Sequence, residues 1–468
     1  MTYAGRLCLF VHQSTFGRIF LSTWQKINRL TTLAAAGGAS ILTTGPAHAL
    51  PAFARQTGME CISCHVGGFG PQLTPRGIKF KLGGYSDTGG TGPAANVPLS
   101  AMIVGSFTHL AKGLTEDPGP NDGKNNNGSL QEVSAFLAGR LFDHAGSFTQ
   151  VTYSDIDNKV ALDAVDLRYA APLTLAGDDF TLGVTLNNNP SQTDPFNTLP
   201  AWRFPYTSTE LGMSPVASPL LDGGLEHQVA GASVYGFWDG FYAELGGYRS
   251  LDAQTLRHIN VADEAGKISG VAPYWRLAYF KDTGMQAFSA GVFGLNADLH
   301  PGRMPGRTDQ YDDVGVDGSY RFLPNRHHQF AVNTAYIHEH RKLNGSFGAQ
   351  DAAHSSGTLN RFDLNGSYYF DNTWGLTAGV FDITGSRDAG LYGADSLHND
   401  PDSNGWIMQG DWTPFGKEAS WGAPWVNLRL GLQYTAYNTF NGAKHNYDGS
   451  GRDASDNNSL FAFAWTAF

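Results

Sequence analysis

The sequence predicts an all-β protein: a transmembrane antiparallel β-barrel of about sixteen strands, with a short N-terminal segment of different character. Three observations predict it. From Leu99 onward the chain repeats runs of roughly ten residues in which apolar and polar side chains alternate, the signature of strands with one face in lipid and one in a lumen. Long polar connections alternate with brief turns, as they do when one end of a barrel faces out and the other in. No later stretch offers 18 consecutive apolar residues, so a helical membrane protein is excluded. With 58 Gly and 19 Tyr in 468 residues, composition also leans away from helix.

Taken in order, residues 1–49 read as an export signal. Lys26 and Arg29 precede an apolar, small-residue stretch over 30–45, and Ala47-His48-Ala49 fits a peptidase site before Leu50. The alternative, a short membrane anchor, has fewer than the roughly 20 apolar residues a spanning helix needs. The net charge of -11 offers no basic footprint, so no nucleic-acid partner is expected.

Residues 50–98 form the second element. Cys8 would leave with the signal, so the exported chain keeps Cys61 and Cys64, and the run Cys61-Ile62-Ser63-Cys64-His65 is the C-x-x-C-H pattern of c-type haem attachment. Two thiols at that spacing reach the two vinyl groups on one haem edge, and the imidazole of the next residue becomes the proximal iron ligand. One haem c is therefore expected, with Cys61 and Cys64 as thioether anchors and His65 on the iron. A disulfide between Cys61 and Cys64 is an alternative, but it leaves His65 unexplained. A zinc site would need further ligands at matching spacing, and a thioredoxin-like pair would need a βαβ surround; neither is present. The sixth iron ligand stays open: Met59 lies too near Cys61 to reach the far face, leaving Met102, His109 and more distant residues. A segment this short cannot bury its own core and must lean on the rest of the chain.

Residues 99–468 are the barrel. Strands are expected at 99–110, 129–142, 146–157, 161–171, 178–188, 224–236, 239–249, 271–280, 285–297, 308–321, 327–339, 359–370, 374–384, 404–413, 424–437 and 459–468. In 313–322, Val314, Val316, Tyr320 and Phe322 share one face, opposite Asp313, Asp317, Ser319 and Arg321. Leu428, Leu430, Leu432 and Tyr434 alternate in the same way with Asn427, Arg429, Gln433 and Thr435. Long polar stretches follow the first, fifth (189–223), seventh, eleventh, thirteenth and fifteenth strands. Odd connections then point outward and both termini lie in the periplasm, where an N-terminal haem segment would receive its cofactor. The chain ends in Phe468, as outer-membrane assembly signals do, although Thr466 stands where an aromatic is usual. A soluble β-sandwich shares the alternation and is the competing fold.

The run from Pro51 to Gly58, the Cys61–His65 motif, and then Leu73-Thr74-Pro75-Arg76-Gly77 with Lys79-Phe80-Lys81-Leu82-Gly83-Gly84-Tyr85 resemble the fused monohaem cytochrome-porins of iron-oxidising bacteria. The match covers about 35 residues; the barrel resembles the family in length, strand number and terminal Phe. The resemblance implies a haem segment in or against a sixteen-stranded outer-membrane barrel. It implies an iron:cytochrome oxidoreductase activity, one electron at a time, from extracellular Fe(II) or another extracellular donor to a periplasmic c-type cytochrome. The other reading is a porin for small solutes, with the haem segment as plug or stabiliser. Asp117, Asp122, Asp194, His354 and Asp402, in the expected outer loops, could attract a cation, though solvation accounts for polar loop residues equally well.

Overall fold

The computed structural model describes residues 50–175, 177–417 and 420–468. The export signal over 1–49 lies outside them. Among the described residues, seventeen strands hydrogen-bond into one antiparallel sheet, and one of them is the two-residue Lys267–Ile268. The other sixteen are the staves of a closed barrel: β1 (Leu99–Leu110), β2 (Asn127–Phe142), β3 (Ala145–Ser154), β4 (Lys159–Leu175), β5 (Asp178–Asn187), β6 (Val229–Trp238), β7 (Phe241–Ser250), β8 (Ala272–Asp282), β9 (Gln286–His300), β10 (Asp309–Phe322), β11 (His328–Lys342), β12 (Ser356–Phe370), β13 (Trp374–Gly385), β14 (Ser403–Trp412), β15 (Asn427–Thr439) and β16 (Ser459–Ala467). Closure is explicit in β1, which pairs with β2 on one side (Met102↔Ser134) and with β16 on the other (Met102↔Ala467). Each expected strand has its counterpart, with ends shifted by a few residues.

The alternation follows the expected faces. In β10, Val314, Val316 and Tyr320 are exposed on the outside, while Asp313, Asp317, Ser319 and Arg321 are buried inside. In β15, Leu430, Leu432 and Tyr434 face out, and Asn427, Arg429 and Gln433 are buried. A soluble sandwich would hide its apolar face between sheets; here the apolar side chains ring the outside of a closed wall, the arrangement of a transmembrane barrel. Tight turns join the strands at one end. Between β6 and β7 the turn is Asp239-Gly240, both with positive φ (45° and 85°), the Asp-Gly chemistry that matches strand twist in a two-residue hairpin.

Two features depart from the expected pattern. The connection 413–426, on the short-turn end, is long and packs beside the N-terminal segment, where Arg55 stands over the Trp425 ring at 5.3 Å. The connection 188–228, read above as an external polar loop over 189–223, folds into the barrel. Its anchors are polar groups of the inner wall: Arg168 Nη2 donates to Thr193 O (2.6 Å), Arg321 Nη2 to Phe196 O (2.9 Å) and Gln433 Nε2 to Thr207 O (2.9 Å). Glu339 and Asp313 accept from the backbone N–H of Leu220 and Leu221. A buried charge is costly unless paired or hydrogen-bonded, so wall and loop satisfy each other.

The N-terminal segment enters from the short-turn end, where Ala101 and Phe468 exchange backbone hydrogen bonds. Its helices are α1 (Pro51–Thr57), α2 (Cys61–Cys64) and α3 (Pro75–Leu82). Barrel side chains hold it: Asn427 Nδ2 donates to Gly68 O, Arg429 Nη2 to Phe69 O, and Tyr235 Oη to Leu82 O. Phe69 meets Trp465 edge-on with ring centroids 4.8 Å apart. The lumen is thus filled from one end by the segment and from its interior by the inward loop.

Candidate functional site

Pro51 at the first turn starts α1, and Gly58 ends it in the left-handed conformation (φ 70°). The chain then turns into the single-turn helix α2, where the backbone N–H of His65 closes on Cys61 O at 2.9 Å. Thr74 caps α3 by accepting from the Gly77 N–H, and its hydroxyl donates to Ser63 O at 2.6 Å, fastening α3 against α2. The fit there is close: a Cβ at Gly77 would run into the carbonyl oxygen of Cys64 and come within 3.1 Å of Leu73 Cδ2.

Between these helices, the inward loop and the wall lies a mainly apolar cavity. Cys61, Cys64 and His65 line it on one side, and Phe53, Phe80 and Trp202 supply much of its apolar wall. Cys61 and Cys64 are free thiols in this structure. No group of three or more His, Cys, Asp or Glu side chains able to hold a metal ion occurs among the described residues, so the zinc alternative lacks its ligand set.

His65 is half-buried, and its Nδ1 lies 2.5 Å from Gly70 O. A carbonyl only accepts, so Nδ1 carries the proton and the Nε2 lone pair is left free, as in imidazoles held for metal ligation by an outer hydrogen bond. Burial pushes the His65 imidazole down to about 4, against the pull of the Gly70 carbonyl, and Arg429 adds to the fall. Burial pushes both thiols up to about 11. A neutral imidazole and two neutral thiols therefore face an apolar cavity, a set that fits a covalently held haem.

Of the residues weighed as sixth ligand, Met59, in the turn from α1 to α2, is among the residues that line the cavity. Met102 does not: it is buried in the wall and accepts from Trp465 Nε1 at 2.9 Å. His109 is at the other end of β1, bonded to Asn126. The five outer-loop residues are dispersed. Asp194 is buried in the inward loop, paired with Arg276 at 3.1 Å, and is not a loop-surface group. Asp122 is buried, accepting from Ser129 at 2.6 Å. Asp117 is exposed, Asp402 accepts from the Gly385 N–H, and the exposed His354 sits 3.3 Å from Asp388.

The residues that the motif could not reveal are those brought from far along the chain. Lys81, one turn after Gly77 on α3, is buried at the cavity wall, and Asn197 and Trp202 arrive from the inward loop. The signal for the loop was compositional: 190–206 carries Pro190, Pro195, Phe196, Trp202, Phe204 and Tyr206, an apolar and aromatic makeup unlike a solvated loop.

No protein-family profile matches the chain, and no curated protein matches it. Solved structures do. The outer membrane channel DcaP of Acinetobacter baumannii is 12% identical over 79% of this chain and 96% of its own, with a TM-score of 0.44. In-vitro folded OmpT, an outer membrane protein of Vibrio cholerae, is 10% identical over 79% and 96%, with a TM-score of 0.40. An anion-selective porin from Comamonas acidovorans is 13% identical over 79% and 98%, with a TM-score of 0.39. The chain's own strand pairing makes it a closed sixteen-stranded β-barrel, and its lumen holds its own N-terminal segment.

Proposed function

We propose that this chain is an outer-membrane electron conduit, with one c-type haem attached through Cys61 and Cys64 and ligated by His65 inside the barrel. It would take electrons from extracellular Fe(II) or another extracellular donor and pass them to a periplasmic c-type cytochrome. The observation that carries the reading is the C-x-x-C-H helix lining an apolar cavity, with the His65 tautomer set by Gly70 so that Nε2 is available. When bound, the haem supplies a one-electron redox centre and needs no acid or base from the protein. The protein's own residues do the rest. Cys61 and Cys64 would hold the haem through two thioether bonds, and His65 would ligate the iron. Phe53, Phe80 and Trp202 would exclude water, and a centre held within the barrel would lie between an outer donor and a periplasmic acceptor. With donors outside, the odd connections face outward and both ends of the chain face the periplasm.

The barrel by itself favours a second reading, a porin for small solutes, because a closed sixteen-stranded wall with a polar inner face is wide enough for a channel. The segment and inward loop would then act as a plug.

An optical spectrum of membrane-extracted, oxidised protein mixed anaerobically with Fe(II), with His65→Ala as control, tests the first reading. Reduction of c-type bands in the wild type supports it; a protein without covalent haem overturns it. Solute-dependent swelling of proteoliposomes in that haem-free case would support the porin.

A further inference from the structure

The cavity wall carries a buried cation that none of the chemistry above uses. Lys81 is 4% exposed, and its Nζ donates to Gln192 O at 3.0 Å and to Asn197 Oδ1 at 2.8 Å. It also stands 3.9 Å from the centroid of the Trp202 ring. Gln192, Asn197 and Trp202 all belong to the inward loop, and Trp202 Nε1 donates to the same Gln192 oxygen at 3.1 Å. Both partners of Lys81 in these hydrogen bonds are neutral oxygens. The nearby carboxylates are engaged elsewhere: Asp166 by Arg168, Tyr85 and Thr185, Asp194 by Arg276 and backbone N–H groups, and Glu244 by Tyr242 and Thr193.

Burial, with Arg168, pushes the Lys81 amine well below its ordinary value, and Asp166, Asp194 and Glu244 pull it back. The geometry fits the ammonium form. Two N–H groups reach oxygens and the third side meets the electron-rich indole face, which attracts a cation and repels a lone pair.

We propose that Lys81 is a positioning residue that raises the reduction potential of the redox group in this cavity, by holding a positive charge at its wall and tying that charge to the inward loop. The proposal rests on the haem reading. Reduction adds one negative charge, so a fixed positive charge favours the reduced state. At an effective dielectric constant of roughly 20, a unit charge about 10 Å away biases the reduced-to-oxidised ratio by roughly tenfold. For a one-electron couple that is about 59 mV. The effect favours accepting electrons from a donor outside.

The test is a spectroelectrochemical titration of the full-length haem protein, with haem content measured on the same samples. Lys81→Met and Lys81→Gln should each lower the midpoint by the equivalent of roughly tenfold, while Lys81→Arg stays near the wild type. The Gln variant keeps an amide donor for Gln192 O and Asn197, so it reports the charge even if the Met variant assembles poorly. Haem retained with an unshifted potential in both neutral variants overturns this proposal and leaves the haem reading standing. Faster proteolysis of 188–228 with no change in potential means Lys81 only braces the loop, and also overturns it. Absence of covalent haem in the wild type overturns both.

Discussion

His65 Nδ1 lies 2.5 Å from the carbonyl oxygen of Gly70, and this contact decides which nitrogen of the imidazole faces the cavity. The four residues between them form a tight return, closed by the Gly68 N–H donating to His65 O at 3.2 Å and by Val66 N–H to Gln72 O at 2.8 Å. A ligand presented by such a short, bonded loop keeps its orientation whether or not anything is bound.

The same close packing makes Gly77 intolerant of a side chain. A Cβ there meets the Cys64 carbonyl, which is backbone and cannot swing aside. Gly77→Ala is expected to displace α3 from α2 and lower covalent haem content severalfold, with the barrel still folding. Haem staining per unit of heat-modifiable, folded barrel checks it; unchanged stain in Gly77→Ala would refute the packing argument.

Arg429 joins plug to wall. It donates to Phe69 O at 2.5 Å and lies over the Phe69 ring at 5.5 Å, with Asp411 as its neighbouring charge. Arg429→Met leaves a buried carbonyl without its donor, at a cost of about 1–3 kcal/mol. The expected result is faster protease cleavage within 65–75 and a larger single-channel conductance. Equal cleavage rates in mutant and wild type would show that the plug is held by other contacts.

Acid should release the inward loop. Burial alone would raise the Asp194 carboxyl, but Arg276, Lys81 and the N–H groups of Thr198 and Phe196 outweigh it and hold the group below its ordinary value. A depressed acid contributes stability that is present above the unfolded-state value, about 3.9, and is lost as pH falls through the lower folded-state value. Wild-type conductance should therefore rise only in strong acid. Asp194→Asn should conduct more at neutral pH, as bilayer recordings across pH can show.

The outer face carries the membrane assignment. Leu432 is 54% exposed midway along β15, pointing away from the lumen. Leu432→Arg places a charge in lipid at a cost of about 2–4 kcal/mol near the midplane. Reversible unfolding from liposomes should show that loss, and Leu432→Ala should lose far less. A soluble barrel would tolerate the charge.

How much of this was legible beforehand follows from the range of the forces involved. Strand alternation is local: Val314 and Val316 face out because their neighbours Asp313 and Gly315 face in, and a period of two is visible in ten residues. The C-x-x-C-H motif is likewise local, since five consecutive residues carry its chemistry. Loop direction is not. The sequence over 188–228 follows the fifth strand as an external loop would, and buried polar groups across the lumen, Arg168, Arg276, Arg321 and Gln433 among them, draw it inward. The surroundings of Met102 and Met59 are equally non-local: the fold packs Met102 into the wall and leaves Met59 at the cavity lining.

By itself the sequence determined the sixteen staves and the two faces of each, because each is written in short-range periodicity. The tertiary structure alone decided that the lumen is filled, that Lys81 and Trp202 meet at the cavity wall, and that His65 presents Nε2. Those outcomes depend on pairing buried polar groups from segments more than a hundred residues apart, such as Lys81 with Asn197, a balance no local pattern records.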